Sequence, residues 1–185
     1  MHLAPYLPLL GLGFLSTTLI VLGRRKPQYS HVVHTISELG EVGAPNQRLV
    51  AWGVFFPVGL VLLPISYLFH SSFPAVAALA GCVAAGYFVA ALFPCDPGSP
   101  VSGSPRQSIH NLGGAIEYIG GGFSLLWAAE AFGFPFKVLG YIVLGVALAL
   151  TVLPSVSFRG LVQRFGEVCL FGALGGLVWL AASGI

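Results

Sequence analysis

The chain has 185 residues, of which 56% are hydrophobic and 8% charged, and it carries a formal net charge of +2. Soluble domains carry about 25% charged residues, and mean hydropathy here is +0.90. A soluble globular enzyme, a nucleic-acid binder and a disordered tail are thereby excluded, and the small net charge gives no reason to expect a polyanionic partner.

Crossing a hydrocarbon core takes about 20 apolar residues. Runs of that length lie at about 4–23, 49–69, 74–93, 109–131, 138–156 and 164–183. They predict one all-α, polytopic domain over residues 1–185 with six transmembrane helices. Each run is apolar on all sides, which suits helices and not the alternating strands of a barrel. The first run has no basic segment before it and is followed by Arg24-Arg25-Lys26, so it is expected to be a span and not a cleavable leader. Pro57 and Pro64, two turns apart, predict a bend in the second span. Ala77, Gly81 and Ala85 in the third, and Gly172 and Gly176 in the sixth, predict close helix approach through small residues. Cys82, Cys95 and Cys169 have no paired spacing and form neither a disulfide framework nor a metal knuckle.

Seven of the eight basic residues follow spans one, three and five: Arg24, Arg25, Lys26, Arg48, Arg106, Arg159 and Arg164. Lys137 alone falls on the other side. The positive-inside rule then places these connections in the cytoplasm and both termini outside, in the cell (inner) membrane. Glu38, Glu41, Asp96, Glu117 and Glu167 share the cytoplasmic half with His31, His34 and His110, whereas His2, His70 and Glu130 lie toward the other. Polar groups are costly in a bilayer, so their concentration at one mouth nominates a site.

In the first connection His31, His34 and Glu38 are spaced three and four apart, with Val32, Val33, Ile36 and Leu39 on the opposite face and Gly40 as a C-cap. A short amphipathic helix at the interface between the first two spans is expected. In the fourth span His110, Gly114, Glu117, Gly121 and Ser124 form one stripe, with Glu117 about 10 Å deeper than His110 at 1.5 Å per residue. An ionisable group at that depth needs a partner or a proton. Asn111 and Tyr118 lie on the adjacent face. Phe93-Pro-Cys-Asp-Pro-Gly98 ends the third span, with Asp96 suited either to the turn or to the site. Arg159 and Arg164 either set topology or grip a lipid head group, and Glu167 is expected to pair with an arginine.

Taken together, these residues compose a mixed imidazole and carboxylate set. Such a set suits a divalent metal such as zinc, with His31, His34, His110 and Asp96 as ligands. It equally suits acid–base work by Glu38, Glu117 or Asp96. Arg159, Arg164, Asn111 and Tyr118 would bind the ligand. The expected activity is metal-assisted hydrolysis or transfer on a lipid or other amphiphile drawn from the membrane. A small proton-coupled transporter built on Glu117 is the alternative, and a structural partner of other membrane proteins, or a homo-oligomer, is a third reading.

Three landmarks, Ile36-Ser-Glu-Leu-Gly40, Phe93-Pro-Cys-Asp-Pro-Gly98 and His110-Asn111, resemble in type and order those of the DUF998 family of prokaryotic six-helix membrane proteins. The resemblance runs from about Pro5 to Leu180. It implies the six-helix fold and points to Glu38, Asp96 and His110 as signature positions, without supplying a reaction. Many members carry a second cysteine after the Asp-Pro-Gly turn, where Ser99 stands here.

Overall fold

A computed structural model describes residues 4–152 and 158–184. The end of the predicted fifth span, 153–156, and His2 lie outside the described residues. Six helical stretches follow one another without a strand among the described residues. Helix α1 is Tyr6–Gly23, α2 is Gln47–Phe69 and α3 is Pro74–Leu92. Helix α4 covers 105–132, α5 is Phe134–Val152 and α6 is Arg159–Ala182. Five of them, all but α4, are long and apolar enough to cross a membrane as unbroken helices.

The exception is compositional: α4 opens on Arg106, Gln107, Ser108, His110 and Asn111 and carries Glu117 and Glu130. Helix α4 is made of Pro105–Ala115, a π turn at Ile116–Gly120 and Gly121–Phe132. The wider turn inserts an extra residue per revolution, a device concentrated at functional positions. It brings Glu117 and Tyr118, neighbours in sequence, both to the buried side. A second π turn, Ala51–Phe55, lies in α2 just before Pro57. Pro57 has no N–H for the ladder and its ring crowds the preceding turn, so the widened turn absorbs what a regular helix cannot. The expected irregularity of the second span takes that form.

The helix starts are written in the sequence. Ser104 caps α4 by accepting from the Gln107 N–H at 3.2 Å, and Pro105 takes the first helical position. Pro74 opens α3 in the same way. The connection between α4 and α5 is shorter than expected: Gly133 alone joins Phe132 to Phe134, at φ +92°, a left-handed conformation that glycine adopts without steric cost. Helix α5 therefore begins at Phe134 and not near 138.

Close packing rests on other glycines than the expected ones. A Cβ on Gly86 would fall 2.6 Å from Glu117, one on Gly113 2.6 Å from Val89, and one on Gly122 2.7 Å from Leu144. These positions bring α4 against α3 and α5. Gly172 has open space around it and Gly176 has nothing nearer than 3.9 Å, so the expected GxxxG pair makes no tight approach within the chain. The spaced small residues of α3 do pack: Ala77 is buried, its carbonyl accepts from Ser66 Oγ at 3.0 Å, and a Cβ on Gly81 would meet that same Oγ at 3.3 Å.

The expected interfacial helix between the first two spans is not formed. Residues 24–46 fold as a strap of turns with one short 3₁₀ turn, Ser37–Gly40, laid across one end of the bundle. Its carbonyls are used elsewhere, which is the physical reason. Val33 O and Val32 O accept from the Gly160 and Leu161 N–H groups at 3.1 and 3.0 Å, and His34 O accepts from Arg164 Nη1 at 3.0 Å. The first N–H groups of a helix have no partner within it. Here the strap satisfies two of α6's, and a helical strap would have consumed those same carbonyls internally. The expected apolar face splits as a result: Ile36 and Leu39 plug the bundle, while Val32 and Val33 stay exposed.

Candidate functional site

A cavity of about 210 Å³ opens at the strapped end of the bundle, walled by the strap, the loop after α3, and helices α3 to α6. Thr35 and Ser37 come from the strap, His110, Asn111, Glu117 and Tyr118 from α4, and Arg159 and Gln163 from α6. Val101, Ile119, Ala147 and Leu150 make much of the remaining wall apolar, with Ser99 and Thr151 as polar members.

At the mouth, His110 is held at both ring nitrogens. Its Nδ1 lies 2.8 Å from Phe93 O and its Nε2 lies 3.0 Å from Ser37 Oγ. A carbonyl only accepts, so Nδ1 carries the proton, and in the neutral ring Nε2 is then the acceptor for the Ser37 hydroxyl. A hydroxyl donating to an imidazole that is itself oriented from behind is the arrangement of an activated nucleophile and its base. Ser37 is half-buried and His110 buried, both facing the cavity. Arg159 Nη1 donates to Ser99 O at 2.7 Å, while its Nε is buried without a partner.

Two turns deeper lie Glu117 and, on α6, Glu167. Tyr118 and Tyr87 donate to Glu167 Oε1 and Oε2 at 2.5 and 2.8 Å. Glu117 Oε1 is buried and unpartnered. Gly86 makes room for Glu117, because any Cβ there would sit 2.6 Å from its Cβ and Oε2. The expected partner of Glu167, an arginine, is replaced by two phenols.

The other predicted site residues serve the scaffold. Glu38 Oε1 accepts from the Thr35 N–H and hydroxyl at 2.8 and 3.0 Å, closing the 3₁₀ turn, and not as a general base in the cavity. Asp96 accepts from the Ser104 N–H and hydroxyl and from Arg106 Nη2, at 2.8, 2.9 and 2.6 Å. The Ser104 N–H first, then Arg106 and the Ser104 hydroxyl, hold its carboxyl below the usual range. Asn111 Nδ2 donates to Val101 O at 2.8 Å and its Oδ1 accepts from Gln107. Arg164 reaches His34 O, Gly160 O, Tyr29 Oη and His31 Nδ1, so its guanidinium ties the strap to the first turn of α6.

His34 Nδ1 accepts from the Ser30 N–H at 2.9 Å. Burial, then Arg164 and Arg24, push the His31 imidazole down. Burial also pushes the Tyr29 hydroxyl and the Cys95 thiol up to about 12. Among the described residues no three His, Cys, Asp or Glu side chains gather where they could hold one metal ion. The expected ligand set of His31, His34, His110 and Asp96 is thus dispersed over separate hydrogen-bond networks.

Three contributors escape a reading of charged residues alone. Ser37 is uncharged and its only sequence signal is its place within Ile36-Ser-Glu-Leu-Gly40. Gln163 Oε1 accepts from the Ile36 N–H at 2.7 Å and sets the height of Ser37. Gln107, fully buried, accepts from the Asp96 N–H at 2.6 Å and donates to Pro100 O and Asn111 Oδ1, fixing the loop above the cavity.

Apolar helices of spanning length around a polar, one-ended cavity define a multi-pass helical membrane protein. Residues 9–183 match the family described as "Protein of unknown function (DUF998)", and the chain belongs to that family. No curated protein and no solved structure matches it.

Proposed function

We propose that this protein is a membrane-embedded hydrolase or acyltransferase that acts on the carbonyl of an amphiphile, with Ser37 as nucleophile and His110 as its base. The single observation that carries this reading is the chain Ser37 Oγ to His110 Nε2 at 3.0 Å and His110 Nδ1 to Phe93 O at 2.8 Å, facing a cavity. Ser37 Oγ attacks the carbonyl carbon while its proton passes to Nε2. The imidazolium, steadied by Phe93 O, then returns that proton to the leaving group, and water or a second alcohol releases the acyl group by the same steps in reverse. Arg159, which lines the same cavity, is the cationic donor available to steady the oxyanion. The expected acid–base duty moves from the carboxylates to His110, and the step needs no metal ligand set.

All six helices cross the bilayer in this reading, α4 included, with both termini outside and the cavity facing the cytoplasm. The placement of Arg24, Arg25, Lys26, Arg48, Arg106, Arg159 and Arg164 supports that orientation. The exposure of Val101 and Ile119 on the apolar wall supports entry of an acyl chain from the inner leaflet. A fluorophosphonate probe should label the detergent-purified protein at Ser37, and Ser37→Ala and His110→Ala should each abolish labelling while leaving the protein folded. Unlabelled Ser37 in folded protein, with no turnover of a graded series of acyl esters, overturns the reading.

A further inference from the structure

One position on the cavity wall has no side chain and no packing reason for lacking one. Gly114 lies four residues after His110 in α4, about 6 Å deeper at 1.5 Å per residue, and lines the cavity. A Cβ on Gly114 would meet no heavy atom within 4 Å. Its neighbour Gly113 differs, because a Cβ there would fall 2.6 Å from Val89 and push α4 off α3. The backbone gives Gly114 no reason either. It is helical with no positive φ, and glycine is the weakest helix former after proline. What the missing side chain provides is room in the cavity.

The surroundings decide what that room suits. Along α4, Gly114 stands between His110 and Ile119, and Ile119 shares the cavity lining with Ala147 and Leu150 of α5. A chain running from Ser37 to these apolar residues therefore passes Gly114. The hydroxyl of Tyr118, at the deep end, is already spent on Glu167 Oε1 at 2.5 Å. Apolar contact is what this stretch of wall offers, so it selects by length and bulk.

We propose that Gly114 is a specificity-determining residue: its missing side chain is the slot through which the acyl chain extends from Ser37 toward Ile119, Ala147 and Leu150. The proposal rests on the acyl-transfer reading for the group held at Ser37. A chain unbranched near its carbonyl fits the slot, and any larger residue at position 114 shortens the chain that can be held.

Gly114→Leu closes the slot, raises helix propensity and meets no backbone at its Cβ, so it should keep or raise the thermal midpoint. p-Nitrophenyl acetate and p-nitrophenyl octanoate are the probes, with the full-length protein in maltoside micelles. The octanoate-to-acetate ratio of kcat/KM should fall at least about tenfold in Gly114→Leu, the scale on which apolar pockets sort methylenes. Gly114→Ala should lie between. A merely structural role would lower both rates together and leave the ratio unchanged. Dodecanol with a terminal diazirine gives a readout that needs no turnover. Photolysis with Ser37→Ala should label Tyr118, which is 4% exposed and lines the cavity. Adding Gly114→Leu to that variant should remove the label. Loss of ester turnover from the unaltered protein, with this Gly114-dependent label intact, would sink the serine mechanism and uphold the slot. An unchanged ratio in folded Gly114→Leu, or a Tyr118 label that is absent or indifferent to position 114, overturns the proposal.

Discussion

At the residue scale, half of the charged side chains of this protein hold backbone in place, and Asp96 illustrates it. Its carboxylate collects the Ser104 N–H, the Ser104 hydroxyl and Arg106 while remaining near solvent, and these partners lower its pKa. In the unfolded chain the group titrates near the ordinary value of about 3.9. Because the folded value is the lower one, the native state gains from the ionised carboxylate above the ordinary value. That gain is lost as pH falls through the ordinary value toward the folded one. Thermal unfolding in detergent should therefore show a stability decline beginning at about pH 4–5, and Asp96→Asn should flatten that part of the curve. An unchanged acid limb in the variant would show that the turn is not held by this charge.

The same scale explains what the sequence made legible. Glu117 and His110 stood out because ionisable residues in an apolar run are expensive, and both line the cavity. Ser37 did not stand out, since a serine in a polar connection carries no cost that demands an explanation. Glu38, Asp96 and Arg164 share their chemistry with functional groups, and only their partners assign them to the scaffold. Spacing along the chain cannot report partners 60 to 130 positions away, such as Ser99 for Arg159 and His34 for Arg164.

At the scale of elements, the strap and the first turn of α6 are one unit. The strap was expected as a helix because its residues alternate on a helical period, and local periodicity lost to long-range hydrogen bonds. The positions of the six apolar runs were legible because each is a long, locally encoded signal. The π turn in α4 was not, because it accompanies a contact remote in sequence, Glu117 over Gly86. Gly160 is where strap and α6 come closest: a Cβ there would sit 2.2 Å from His34 O and 2.8 Å from His31 O. These are backbone atoms and cannot swing aside. Gly160→Ala should therefore lift the strap, costing about 1–3 kcal/mol as overpacking does, and should carry Ser37 away from His110. Loss of probe labelling at Ser37 together with a lowered thermal midpoint is the expected result. Full labelling at unchanged stability would show that the strap's docking does not position the nucleophile.

At the scale of the whole molecule, function depends on which leaflet the strapped end faces. Lys26 and Glu41, paired at 2.6 Å, lie in the connection after α1, and Arg106, in the first turn of α4, pairs with Asp96 of the connection after α3, also at 2.6 Å. Lys137 and Glu130, both exposed, flank the turn at Gly133 at the opposite end. Moving a basic cluster across the membrane is costly for insertion, so the proposed orientation keeps the cluster on the cytoplasmic side and turns the Ser37–His110 pair toward the inner leaflet. Single cysteines test this directly. Ser72→Cys, in the connection between α2 and α3, should react with a membrane-impermeant maleimide in intact cells. Ser102→Cys, in the loop above the cavity, should react only after permeabilisation. Cys95 contributes no background, since its thiol is buried and pushed up to about 12, leaving almost no thiolate at neutral pH. The reverse labelling pattern would turn the cavity toward the outer leaflet. It would leave the Ser37–His110 pair as described, but change the pool of amphiphiles that can reach it.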